Sequence, residues 1–234
     1  MVVGRVTETR TTEAILRARL PGWAALALLL AALNYAGNLA SDTEPDRDVL
    51  YLWGTAVAGL VQFGIMLGIV LLLARGLPRA ALGLRPPVSW GRAAGLVVAS
   101  LLGVWAIAAA LGTFLEAGEE QGLVPEEWDA TRWAPFAANF VVVAIVAPVV
   151  EELTYRGLGV ATVEAAGGTV VAVVVTALAF GLAHGLVVAL PVLTAFGLIL
   201  GWLRIRTASV YPCIALHVLF NGFALIASVT LGAA

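Results

Sequence analysis

The chain has 234 residues, 61% of them hydrophobic and 12% charged, where an ordinary soluble domain carries about 25% charged residues. This excludes a disordered chain, a nucleic-acid binder with a basic face and an ordinary soluble enzyme, and it points to a polytopic membrane protein. The net charge of -2 argues for no partner, and the single cysteine leaves no internal disulfide and no Cys cluster for a metal.

Charge-free runs mark the spans, at 20–41, 50–74, 93–115, 133–150, 165–203 and 207–234. A helix crossing the roughly 30 Å hydrocarbon core needs about 20 residues. The first run is read as a retained helix. Its rival is a signal peptide, since 23–33 is a short apolar stretch behind an Arg-containing segment, although Asn38-Leu39-Ala40 is a poor cleavage site. Residues 75–92, with Pro78, Pro86 and Pro87, form a loop that lies against the membrane surface. The run at 165–203 would reach about 60 Å as one helix. It must fold back, around Gly185 to Pro191, which gives about seven spans. The predicted fold is an all-α transmembrane bundle forming a single integral-membrane domain over 1–234.

All thirteen basic residues are Arg, which suggests a GC-rich coding bias and a bacterial source. Eleven of them fall on one side of the predicted spans, taken as cytoplasmic. Ten of the fifteen acids fall on the other: Asp42, Glu44, Asp46 and Asp48 in one loop, and Glu116, Glu119, Glu120, Glu126, Glu127 and Asp129 in the next. The N-terminus is therefore expected inside and the C-terminus outside, in a plasma (inner) membrane. Trp23, Trp53, Trp90, Trp133 and Trp202 stand near span ends, as an aromatic belt requires. Gly64-x-x-x-Gly68, Gly181-x-x-x-Gly185 and Gly197-x-x-x-Gly201 are read as close helix packing, and Cys213 as an inert core residue.

Ionisable residues inside a membrane cost about 3 kcal/mol each on insertion scales, which makes them functional candidates by default. Here they are Glu151, Glu152 and Arg156 in span 4, His184 in span 5, and His217 with the polar Asn221 in span 7. Glu152 and Arg156 are four apart with the acid first, the better order for a helical ion pair. Glu151 is left about 100° round the helix with no partner in its own segment. An unpaired carboxylate in a low dielectric holds its proton more readily than one in water, which suits a general acid or base near neutral pH. His217 and Asn221 share one helix face, as do Phe180 and His184. The three helices can converge at depth if span 4 runs on to Ala166 and stops at Gly167-Gly168. Pro148, three residues before Glu151, is a candidate kink. The bland alternative is that these pairs serve only as interhelical glue.

Glu151-Glu-Leu-Thr-Tyr-Arg156 fits EExxxR, Phe180-Gly-Leu-Ala-His184 fits FxxxH, and His217-Val-Leu-Phe-Asn221 fits HxxxN. Each alone is weak; three in this order on successive apolar segments resemble the CPBP family, also called the ABI family. Its members include the type II CAAX prenyl endopeptidases, the Rce1-like proteases. Thr-Ala-Ser-Val-Tyr-Pro at 207–212 and Leu-Gly-Leu-Arg-Pro-Pro at 82–87 add to the likeness, which covers roughly 82–225. The resemblance implies an intramembrane endopeptidase in which Glu151 is the catalytic glutamate and His184 helps it to orient and activate water. His217 and Asn221 would stabilise the oxyanion, with Glu152, Arg156 and Phe180 in support. It implies membrane lipid and a membrane-associated or lipidated peptide as partners, and no nucleic acid. A divalent metal, zinc, is open: Glu151, His184, His217 and Asn221 could ligate it, but Asn is an unusual zinc ligand and HExxH is absent. There is no GxSxG, and every Asp lies in a loop, so serine and aspartyl proteases fit worse. A non-catalytic scaffold or immunity partner that kept the fold, and a proton-coupled transporter built on Glu and His relays, are the alternatives from other classes.

Overall fold

The computed structural model describes residues 2–40, 48–112 and 128–231, with side chains from residue 10 onward. Among these residues there is no strand. Besides a 3-10 turn at Val49–Tyr51, seven helical segments follow in chain order. They are α1 (Val2–Ala40), α2 (Trp53–Leu73), α3 (Trp90–Gly112), α4 (Ala130–Gly167), α5 (Thr169–Leu182), α6 (Leu190–Thr207) and α7 (Tyr211–Leu231). Among the described residues, six are long and apolar enough to cross a membrane.

The expected all-α polytopic bundle is therefore present, with one refinement. The 14 residues of α5 reach about 21 Å, short of the roughly 30 Å hydrocarbon core. The reason is the placement of two glycines inside the apolar run. Gly168 ends α4 at φ +82° and Gly185 turns the chain after α5 at φ +71°, conformations that cost glycine little. Between them only a short helix remains.

α4 carries the fold's main irregularity. Its backbone alternates between α-helix over Trp133–Val141, π-helix over Val142–Val146, α-helix over Ala147–Glu152, π-helix over Leu153–Gly159 and α-helix over Val160–Gly167. A π turn bonds i to i+5 and inserts one residue into the turn. The first π segment ends just before Pro148, which lacks the N–H that an ordinary turn would direct at Ala144 O. Carbonyls in both widened turns are met by side chains from other helices. Asn221 Nδ2 donates to Val143 O at 3.0 Å, Trp23 Nε1 to Thr154 O at 3.0 Å and Arg204 Nε to Arg156 O at 3.1 Å. The rod continues to Gly167 and stops there, as the glycine pair predicts.

Small residues set the closest helix contacts. A Cβ on Gly197 would lie 2.9 Å from Ala177 Cα, and one on Gly201 would lie 3.1 Å from Val173, so α5 and α6 touch backbone to backbone. Gly181 meets Thr194 in the same seam. Gly64 and Gly68 do not follow the pattern: nothing among the described residues lies within 4 Å of a Cβ at either. The face of α2 around them, with Leu60, Val61 and Ile65, is exposed and is left for lipid rather than for a neighbouring helix. Trp23 also departs from expectation. It is 2% exposed, because α1 starts far ahead of it and its ring packs on Gly159, where a Cβ would come within 2.8 Å. Trp53, Trp90, Trp133 and Trp202 are exposed, as belt residues are.

The two loop motifs singled out in sequence pair with each other. Val210 N donates to Gly83 O at 2.9 Å, Ser209 Oγ to Arg85 O at 2.7 Å and Arg85 Nε to Ala208 O at 2.9 Å. They tie the α2–α3 loop to the α6–α7 turn at one end of the bundle. At the other end Arg132 bridges Asp48 and Asp129 and stacks 4.6 Å over Tyr51. The remaining acids of the two expected acidic loops, from Asp42 to Asp46 and from Glu116 to Glu127, lie outside the described residues.

Candidate active site

Glu152 and Arg156 stand at the centre of the bundle, both with 0% side-chain exposure. Arg156 Nη1 donates to Glu152 Oε1 at 3.0 Å, and its Nη2 reaches Gly197 O on α6 at 3.0 Å. The guanidinium lies 4.6 Å over the Phe180 ring, a cation–π contact strengthened by the absence of water. An isolated charge this deep would be very costly; ionic pairing, a backbone acceptor and an aromatic face together make it tenable.

His217 joins the pair from α7. Its Nδ1 lies 2.9 Å from Glu152 Oε1. Because the carboxylate is already held by Arg156, it is the acceptor and Nδ1 carries the hydrogen. The other ring nitrogen, Nε2, then faces Glu151, at 3.7 Å from Oε2. Glu152 thus orients the imidazole toward its sequence neighbour. The sequence left Glu151 with no partner on its own helix; the structure supplies one from α7. Phe196 and Phe180 pack edge-on against the His217 ring at 5.1 and 5.7 Å between centroids.

Glu151 is 16% exposed at its side chain and lines a cavity of about 210 Å³ together with His184. Tyr155, Asn34 and Gln62 add polar groups to the wall, and Phe63 and Met66 are among its apolar members. His184 Nδ1 is 2.8 Å from Phe180 O. A carbonyl only accepts, so Nδ1 carries the hydrogen and Nε2 is left as an acceptor. Its ring stacks edge-on to Phe180 at 4.7 Å. The Tyr155 hydroxyl is buried and has no hydrogen-bond partner among the described residues.

The seven residues named from sequence therefore separate into layers. Glu151 and His184 line the cavity. Glu152, Arg156, His217 and Phe180 form one buried cluster behind it. Asn221, one turn along α7 from His217, spends an amide hydrogen on Val143 O and is not a lining residue. Among the described residues no three His, Cys, Asp or Glu side chains are placed to hold a metal ion. Cys213 is buried, as expected, with Sγ 3.4 Å from Leu200 O.

Sequence reading missed Asn34, Gln62 and Tyr155. Asn34 and Gln62 are amides within apolar runs, a signal available from cost alone. Tyr155 sits inside the EExxxR motif but carries no charge to mark it.

Residues 133–223 match the family model described as type II CAAX prenyl endopeptidase Rce1-like. No curated protein and no solved structure matches the chain. The matched segment runs from α4 into α7 and holds all seven residues of the expected site, so the part of the chain that carries the site is similar to the Rce1-like family.

Proposed function

We propose that the protein is an endopeptidase that hydrolyses a peptide bond within the membrane, using water activated by Glu151 and His184. The observation that carries this reading is the placement of a half-buried carboxylate and an acceptor imidazole nitrogen on one small polar cavity. Water held there accepts orientation from His184 Nε2 and loses its proton to Glu151 as its oxygen attacks the scissile carbonyl carbon. The tetrahedral intermediate carries an oxyanion. In this reading His217, with Nε2 3.7 Å from Glu151, is the group that stabilises it, while Asn221, expected beside it, has its amide on Val143 O and stands off the cavity. Glu151 then passes its proton to the leaving amine nitrogen, the C–N bond breaks, and the site is restored. Glu152, Arg156 and Phe180 do not touch the substrate. They hold His217 at the distance from Glu151 that the exchange needs. No step is routed through a metal.

The cavity has room for several waters or one side chain, at about 30 Å³ per water. A substrate must therefore present an extended segment, which fits a membrane-associated or lipidated peptide better than a folded domain. The Arg excess supports an N-terminus inside, a C-terminus outside and a location in a bacterial inner membrane.

Terminal proteomics of membranes tests the reading. Cells carrying the wild-type protein and cells carrying Glu151→Gln at equal expression are compared. Protein ends seen only with wild type establish proteolysis and name its substrate. Identical ends in both refute the proposal.

A further inference from the structure

The turn that carries His184 is held by a helix outside the family-matched segment. α5 ends at Leu182 and the chain reverses through Ala183, His184, Gly185 and Leu186. Three consecutive polar positions on one side of α1 reach this turn. Asn34 Nδ2 donates to Ala183 O at 2.7 Å, Asn38 Nδ2 to Gly185 O at 2.9 Å and Tyr35 Oη to Leu186 O at 3.3 Å. The carbonyls flanking His184 on both sides in sequence are thus fixed from α1. The approach is so close that a Cβ on Gly185 would lie 2.7 Å from the Asn34 carbonyl carbon and 2.9 Å from Tyr35 N, and Gly185 itself is at φ +71°. Leu30 and Asn34 also form part of the cavity wall.

Two Asn side chains in a membrane helix are costly unless each finds a partner. Here both find the same four-residue turn. The His184 ring has further constraints from the end of α5, the edge-on Phe180 ring at 4.7 Å and the bond from Nδ1 to Phe180 O. That bond fixes the tautomer. It does not fix where the backbone under His184 stands relative to Glu151 on α4.

We propose that α1 is a working part of the active site: Asn34, Tyr35 and Asn38 are positioning residues that hold the Ala183–Leu186 turn so that His184 Nε2 faces Glu151 across the cavity. This rests on the endopeptidase reading for its catalytic consequence, but not for its geometric one. His184 and His217 are the chain's two histidines, so nitrogen-15 labelling of histidine gives a readout independent of activity. In wild type, reconstituted in nanodiscs, His184 should show a single tautomer with the hydrogen on Nδ1, its signals assigned by their loss in His184→Gln. In Asn34→Ala/Asn38→Ala the His184 signals should broaden or move toward mixed tautomers while those of His217 stay in place. On a peptide substrate the double variant should lose about ten- to a hundredfold in kcat with KM nearly unchanged, the size expected from misplacing a catalytic group by about 1 Å.

Leu26→Ala is the control, a core truncation on the same helix eight residues before Asn34, at a residue 5% exposed. It should lower stability without moving the His184 signals. If the double variant fails to fold, Asn38→Ala alone carries the same spectroscopic test. Unchanged His184 signals in the Asn variants, or equal changes in Leu26→Ala, overturn the proposal. A wild-type protein that shows the single tautomer yet cleaves nothing overturns the endopeptidase reading and leaves the clamp standing.

Discussion

Removing one member of the Glu152–Arg156 pair should destabilise the bundle far more than removing both. The two groups meet at 3.0 Å with no solvent exposure on either. At an effective dielectric of about 20 the Coulomb attraction at that separation is about 5.5 kcal/mol. Desolvation takes back much of it, so the pair as a whole contributes little compared with a neutral pair of similar volume. Breaking it is another matter, because the surviving charge stays buried. Glu152→Gln leaves Arg156 with Gly197 O and the faces of Phe180 and Tyr155, none of them an anion. Arg156→Met leaves Glu152 with only His217 Nδ1. Each single change should cost about 3–5 kcal/mol, the range for stranding one ion of a buried pair. In Glu152→Gln/Arg156→Met no ion is stranded, and the total cost should fall short of the sum of the singles by at least about 2 kcal/mol. The assay is reversible unfolding in mixed micelles with rising SDS, followed by far-ultraviolet circular dichroism. Costs that add to within about 0.5 kcal/mol would show that the two groups do not interact as the geometry says.

Other perturbations separate contacts that look alike in sequence. Gly197→Leu drives a side chain onto the Ala177 backbone and should cost at least about 1–3 kcal/mol, whereas Gly64→Ala meets nothing within 4 Å and should be neutral or favourable; SDS midpoints of the two variants decide it. Tyr155→Phe deletes a buried hydroxyl that has no partner among the described residues, so stability should hold or rise by about 1 kcal/mol, and a clear fall in melting temperature would contradict that. Chelation should leave proteolysis intact, since no metal enters the proposed steps; loss of activity on dialysis against EDTA with recovery on zinc addition would reinstate the metal reading. The Thr131 hydroxyl, then Arg132, hold the Asp129 carboxyl down at about 2. A carboxylate lowered in the folded state contributes stability that is present above its unfolded value of about 4 and is lost as pH falls through about 2. The unfolding midpoint of wild type should therefore drop between these two pH values by more than that of Asp129→Asn.

What the sequence disclosed and what it hid follow from the same physics. Lipid penalises charge steeply, so Glu151, Glu152, Arg156, His184 and His217 stood out in a chain with 12% charged residues. Five residues chosen by that cost proved to lie in one neighbourhood around α4. The helix stop at Gly167-Gly168 was legible for a related reason, because a left-handed turn leaves few residues other than glycine. Periodicity, by contrast, assumes 100° per residue, and α4 breaks that rule twice. The two π segments carry no compositional mark in Val-Val-Ala-Ile-Val or Leu-Thr-Tyr-Arg-Gly-Leu-Gly. They are stabilised by donors from Asn221, Trp23 and Arg204, residues remote in sequence. That is why Trp23 read as a belt residue and Asn221 as a free donor. Both are hydrogen-bond donors, and the carbonyls they satisfy exist in that position only because α4 is widened there. The same logic places α1 in the site: Asn34 and Asn38 were visible as polar residues in an apolar run, but what gives them a role is a pair of carbonyls beside His184, nearly 150 residues along the chain. Charges in a membrane protein announce themselves because their cost is local. Amides become informative only once the backbone groups they answer are known.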